Sequence, residues 1–176
     1  MLALSIDDIT DMPPRLHGSN VLFKSGTGIS YTVDTYLTKR SHIFAMALYQ
    51  VFSEQASIEI VSKPSMTDDW VVKFFAYIRM GKNYLVDAGG MINESEIKSR
   101  CVQHDLRYSK KAVTYSALLN MYNYVFGSNT PEDSEIDTLV SFIRNNIDIY
   151  YDQTRSKLGI EMKFLGTYKQ DLKFLY

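Results

Sequence analysis

From Lys39 to Gln55 the chain reads KRSHIFAMALYQVFSEQ, and Ile43, Ala47, Leu48 and Val51 fall on one face of a helix of about four turns. The pattern then changes period. SIEIVSK (57–63) reads as a strand, and WVVKFFAYIRM (70–80) and NYLVDAG (83–89) read as a hairpin turning at Gly81 and Lys82. A helix with one apolar face cannot bury that face alone, and a hairpin sheet next to it in sequence is the surface at hand. The expectation is an α+β fold, with a small antiparallel sheet packed against an N-terminal helix and a helical C-terminal third.

The remaining stretches fit around that unit. Pro13 and Pro14 end a short leader, HGSNVLFKSGTGIS (17–30) is a loop or hairpin, and SYTVDTYLT (30–38) alternates as a strand would. Thr38 or Ser41 is placed to cap the first helix. Gly89 and Gly90 end the second hairpin strand. Asn93, with Glu96 three residues on, opens a helix over 93–109 through a capping box. A further helix is expected over 110–126 and a long one over 129–159, with Thr130 as cap, Pro131 at the first position and Gly159 as stop. The tail from Ile160 suits two short strands or an ordered arm. No linker or repeat divides the 176 residues, so one domain is expected: an α+β half to residue 100, a helical half over 101–160 and an arm over 161–176.

Composition bounds the function. Hydrophobic residues at 45% and charged residues at 22% are those of a globular chain that buries a core. With 19 basic and 20 acidic side chains, the net charge of −1 supplies no general field for nucleic acid. Cys101 is the single cysteine, so neither an internal disulfide nor a zinc site of cysteine pairs can form, which favours a reducing, cytoplasmic compartment. MLALSIDDITDMPPR meets Asp7, Asp8 and Asp11 too early for a targeting segment, and apolar runs such as IFAMALYQVF are too short for a bilayer, so no membrane association is expected. GTG (26–28) lacks the lysine of a phosphate loop, Asp68 and Asp69 read as solvated loop charges, and YKQDLKF (168–174) as a solvated edge.

CVQHDLRY (101–108) carries the most chemical spacing. Cys101, His104, Asp105 and Tyr108 resemble the C-x-x-H-D-x-x-Y helix of secreted and parvovirus-type phospholipases A2. That resemblance implies His104 as base for a water and Asp105 as calcium ligand, with carbonyls from YLVDAGG (84–90) completing the ion's shell. The loop is not Y-x-G-x-G, however, and the disulfides of the secreted enzymes cannot form. The residues read by themselves make a helix whose polar side shows Asp105 and Arg107 while Cys101 and Tyr108 pack inward.

A longer stretch, residues 38–97, carries SHIFAMALYQVF and then KFFAYIRMGKNYLVDAGG, and resembles small papain-like, transglutaminase-like proteins of bacteria and their phages. In those a helix N-terminus stabilises a thiolate, a strand histidine takes its proton and an acid orients the imidazole. Carried over, the nucleophile position is Ser41, the base position Phe74 or Phe75, and the acid Asp87. Only the acid remains, and no histidine lies between His42 and His104, so the resemblance implies the scaffold without the chemistry. RLHGS (15–19) also resembles the opening of bacterial ADP-ribosyltransferases, which implies His17 on the nicotinamide ribose, Tyr49 stacking and a later carboxylate, Glu161.

Tyr115, Tyr122, Tyr124, Tyr150 and Tyr151 give the C-terminal helices more rings than one apolar face requires, and are expected at a rim or interface. The reading is a non-catalytic interaction or assembly protein, of a bacterial cytoplasm or a virion, with a protein partner or a second copy and with no cofactor or metal. The alternatives are a hydrolase built on His104 and Asp105, and a transferase.

Overall fold

The computed structural model describes residues 15–62, 74–81, 84–104, 106, 110–125 and 131–151. The fold is α+β. Strand β1 (Val21–Lys24) pairs with β2 (Ser30–Thr32) as a hairpin. Its turn closes through Ser25 N–H to Ile29 O at 2.8 Å and needs the left-handed φ of +86° at Gly28.

The strand expected over 30–38 stops at Thr32, and Val33–Thr38 is a short helix, α1. The reason is local. Thr32 and Thr35 cap each other's backbone, and Val33 and Tyr36, one helical turn apart, are the buried pair. Helix α2 (Ser41–Phe52) follows, as expected, but neither proposed cap is used: Arg40 is the N-cap with no side-chain capping bond, and the Thr38 hydroxyl donates to Asp34 O. Only Tyr49 and Gln50 of α2 escape full burial, so this is a core helix rather than a one-sided one.

Five antiparallel strands form the sheet, in the order β6-β5-β4-β3-β7. They are β3 (Ala56–Ser62), β4 (Phe74–Met80), β5 (Tyr84–Asp87), β6 (Gly90–Ile92) and β7 (Lys110–Val113). The hairpin at Gly81, with φ +60°, matches the sequence reading. Gly90 opens β6 rather than ending the previous strand, with φ +120°, and a Cβ there would lie 3.0 Å from Ile149 O. Alternation along β4 divides the core. Ala76, Ile78 and Met80 join the cluster under α2, while Phe75 and Tyr77 join Val61, Leu85, Ile92, Ile97, Cys101 and Leu106 on the opposite face. Ile97 and Cys101 come from α3 (Glu94–Gln103), where Asn93 Oδ1 accepts the Glu96 N–H at 2.9 Å as an N-cap, while the Glu96 carboxylate lies 3.5 Å from Arg15 Nη1.

Three helical expectations need correction. α3 ends at Gln103, six residues early, because the Leu106 N–H returns to Cys101 O and buried Leu106 crosses the helix end. Lys110–Val113 is a strand, bound to β3 in the register Ile58 with Val113, so the helix expected from residue 110 begins only at Tyr115, as α4 (Tyr115–Val125). The sheet thus takes its outer strand from the half expected to be helical. Within the described residues 131–151, the long helix expected over 129–159 is instead α5 (Glu135–Asn145) and α6 (Ile147–Tyr150). Ser134, at φ +66°, precedes α5, and the Asn146 side-chain amide bonds Phe142 O at 2.8 Å and closes it. Thr130, Gly159 and the arm lie outside the described residues. Among the described residues no helix is long and apolar enough to cross a membrane.

Candidate functional site

Ser41 stands at the first turn of α2 facing β4, and its buried Oγ accepts the Ala76 N–H at 3.0 Å. The hydroxyl therefore satisfies a sheet amide. The Phe75 ring, at the base position of the papain-like order, points away from α2 into the cluster beneath α3. Asp87 closes β5 and is 4% exposed. Its carboxylate accepts from Arg15 Nη2 at 2.9 and 3.2 Å, lies 2.6 Å from Arg100 Nη1, and accepts the Gly89 N–H at 2.8 Å. Ser41, Phe75 and Asp87 thus make separate contacts, and the side chain of Phe74, the other base position, lies outside the described residues.

The turn after Asp87 is held just as closely. Gly89 O accepts the Leu16 N–H at 2.9 Å, Met91 O accepts from Arg15 Nη1 at 3.0 Å and Ala88 O accepts the Tyr150 hydroxyl at 3.2 Å. Of the carbonyls expected to hold calcium, those of Ala88 and Gly89 accept protein donors. A Cβ on Gly89 would meet Arg15 Nη2 at 2.5 Å, so glycine is what lets the guanidinium lie on the turn.

His104 is the exposed C-cap of α3, its backbone N–H on Arg100 O, and is not within the helix. Asp105, Arg107 and Tyr108 lie outside the described residues. Cys101 is buried as expected, and burial pushes its thiol pKa up, away from thiolate chemistry. His17 is exposed, with Nδ1 2.7 Å from Ser19 Oγ across a tight turn. Tyr49 packs on Tyr115, ring centroids 6.0 Å apart. Glu161 lies outside the described residues. Among the described residues no group of three or more His, Cys, Asp or Glu side chains is placed to hold a metal.

Among the described residues, the most enclosed charged group carried no sequence motif. Glu135, at 0% exposure, accepts from Arg40 Nε at 3.1 Å and from the Tyr36 hydroxyl at 2.8 Å, and its other oxygen takes the Glu132 N–H at 3.0 Å. The Arg40 guanidinium lies 4.4 Å over the Tyr31 ring, whose hydroxyl donates to Glu132 Oε1 at 3.1 Å. Burial first, then the bond to Glu135, pushes the Tyr36 phenol pKa upward. A sequence signal existed: acidic residues in the first turn of α5 mark a helix start. Which of them turns inward depends on Arg40, 95 residues away.

The tyrosines divide. Tyr150 and Tyr151 are core residues at 0% and 4% exposure, which corrects their expected place at a rim. The side chains of Tyr122 and Tyr124 lie outside the described residues. Tyr115 is half-buried at the start of α4, against Tyr49, and its hydroxyl accepts from Gln50 Nε2 at 3.1 Å. One helical turn on, Leu119 is 40% exposed. These rings adjoin β7, where Lys110, Lys111 and Ala112 are exposed and Val113 is half-buried against the core. Lys110 Nζ donates to Glu94 Oε1 at 2.7 Å, which ties the strand to α3. The opposite sheet edge is closed: every residue of β6 is buried, and Gly90 packs on Ile149 of α6. Compared with known proteins, the chain matches no family model, no curated protein and no solved structure.

Proposed function

We propose that this chain works by binding protein, as an interaction or assembly component, and not by turning over a substrate. The observation that carries the reading is the surface at the β7 edge, where an exposed strand runs into the Tyr49–Tyr115 pair and the exposed Leu119. A strand edge offers unpaired backbone groups, and aromatic and leucine side chains beside it offer contact area with little entropy to lose. The groups that a papain-like scaffold would use for chemistry are fastened into the fold, Ser41 on Ala76 and Asp87 between two guanidiniums. The reading includes a bacterial or phage setting, which rests on the resemblance over residues 38–97 alone.

The test compares the wild-type chain with Leu119→Asp, which sets a charge in the surface without touching the core. The immobilised wild type should retain a protein, either a copy of itself or a partner from a bacterial lysate. Leu119→Asp should lose that retention while its melting temperature stays within about 2 °C, as for an ordinary surface substitution. Retention indifferent to Leu119→Asp would remove the surface from the reading. A turnover abolished by His104→Ala or Ser41→Ala would replace the reading altogether.

A further inference from the structure

Resting on that reading, we infer that the occupant of the β7 edge is a second copy of this chain, paired antiparallel through β7 about a two-fold axis at Ala112. Among the described residues no strand lies outside β7 in the sheet order, and its first three side chains are exposed. Antiparallel pairing restricts how a strand can meet itself. Each residue's N–H and C=O point to the same side, alternating along the strand, and residues directly opposite share one orientation. In a two-fold pair the axis must therefore lie level with one residue, between its two copies, and not level with the midpoint of two successive residues.

Four residues can hold that axis, and charge and length select among them. An axis at Lys110 or Lys111 sets an ammonium directly against its own copy, which is unfavourable. An axis at Val113 runs into α4 at Tyr115 two residues later, so the pairing ends almost where it begins. At Ala112 the smallest side chain of the strand meets itself, Lys111 faces Val113 of the second copy, and Lys110 faces Thr114. No like charges oppose. Lys110 is already neutralised by Glu94, and the Lys111 stem can cover the half-buried valine across from it. The net charge of −1 brings no overall repulsion between copies. The five-stranded sheet becomes a continuous one of twice that width, and its exposed edge is removed.

Light scattering across a concentration series, together with two substitutions, tests this. The wild type should reach twice 20.2 kDa. Ala112→Lys, which sets lysine against lysine at the axis, should return the mass to that of a single chain while circular dichroism confirms the fold. Ala112→Cys should form a disulfide-linked dimer on oxidation, since directly opposite Cα atoms lie within disulfide range, whereas Val102→Cys, at 83% exposure on α3, should not. A wild type of single-chain mass throughout, with no cross-link from Ala112→Cys, overturns the inference. If Leu119-dependent retention of a foreign protein persists in that case, the binding reading stands and only the second copy is lost. A dimer that survives Ala112→Lys overturns the register.

Discussion

Ser41 shows how one hydroxyl can be read two ways. At the head of a helix written S-H-I-F-A-M-A-L it occupies a nucleophile's place, yet its Oγ serves as acceptor for a buried backbone N–H of β4. Ser41→Ala should therefore cost about 1–3 kcal/mol in urea unfolding, because it leaves the Ala76 amide without a partner in the core. A loss under about 0.5 kcal/mol, the size of an ordinary surface change, would mean that the bond adds nothing. Restoring a histidine at Phe75 would not rebuild a triad with Ser41, since that ring belongs to the cluster on the far face of the sheet. The residue types at 41, 75 and 87 were legible in the sequence. Which side of the sheet each one faces was not, because strand alternation becomes a fixed direction only when register and covering helix are known.

Among the elements, Glu135 is the fastening between α5 and the α1–α2 corner, through Tyr36 and Arg40. Arg40→Met would strip the carboxylate of its cation while leaving it buried, which should cost about 3–5 kcal/mol, observable as an earlier midpoint in urea. The double variant Arg40→Met with Glu135→Gln should recover part of that loss by removing the stranded charge. No recovery would show that packing around Arg40, and not the ion pair, carries the cost. The long C-terminal helix breaks at Asn146. Glu135 is drawn inward at the start of α5, and Asn146 ends it, so that α6 can deliver Tyr150 to Ala88. Local propensity over 129–159 favours one uninterrupted helix, and burial of Tyr150 and Tyr151 overrides it.

For the molecule as a whole, two buried phenols set a limit at alkaline pH. Burial raises the Tyr36 and Tyr150 pKa values above the ordinary 10.0, reinforced by Glu135 for the first and Asp87 for the second. Above pH 10 the unfolded chain releases these protons while the folded chain keeps them, so the unfolded state binds fewer protons and stability falls as pH rises. Below that pH the contribution is fully present. Each phenol should add up to about 1.4 kcal/mol per pH unit to the slope. Urea midpoints measured below and above pH 10 should fall, and Tyr36→Phe should flatten the decline. If Tyr36→Phe declines as steeply as the wild type, Tyr36 is not one of the linked groups.

The sequence by itself determined the class of fold, the existence of helix α2 but not its burial on all sides, the hairpin turning at Gly81 and the Asn93 cap. Each is written in residues within one helical turn or one tight turn of each other, where period, cap and glycine act over a few ångströms. The tertiary structure alone decided that Lys110–Val113 joins the sheet beside β3 and that Asp87 lies between Arg15 and Arg100. Those outcomes depend on partners far along the chain. A four-residue segment such as KKAV carries too little pattern to choose strand over helix until β3 offers it an open row of hydrogen bonds.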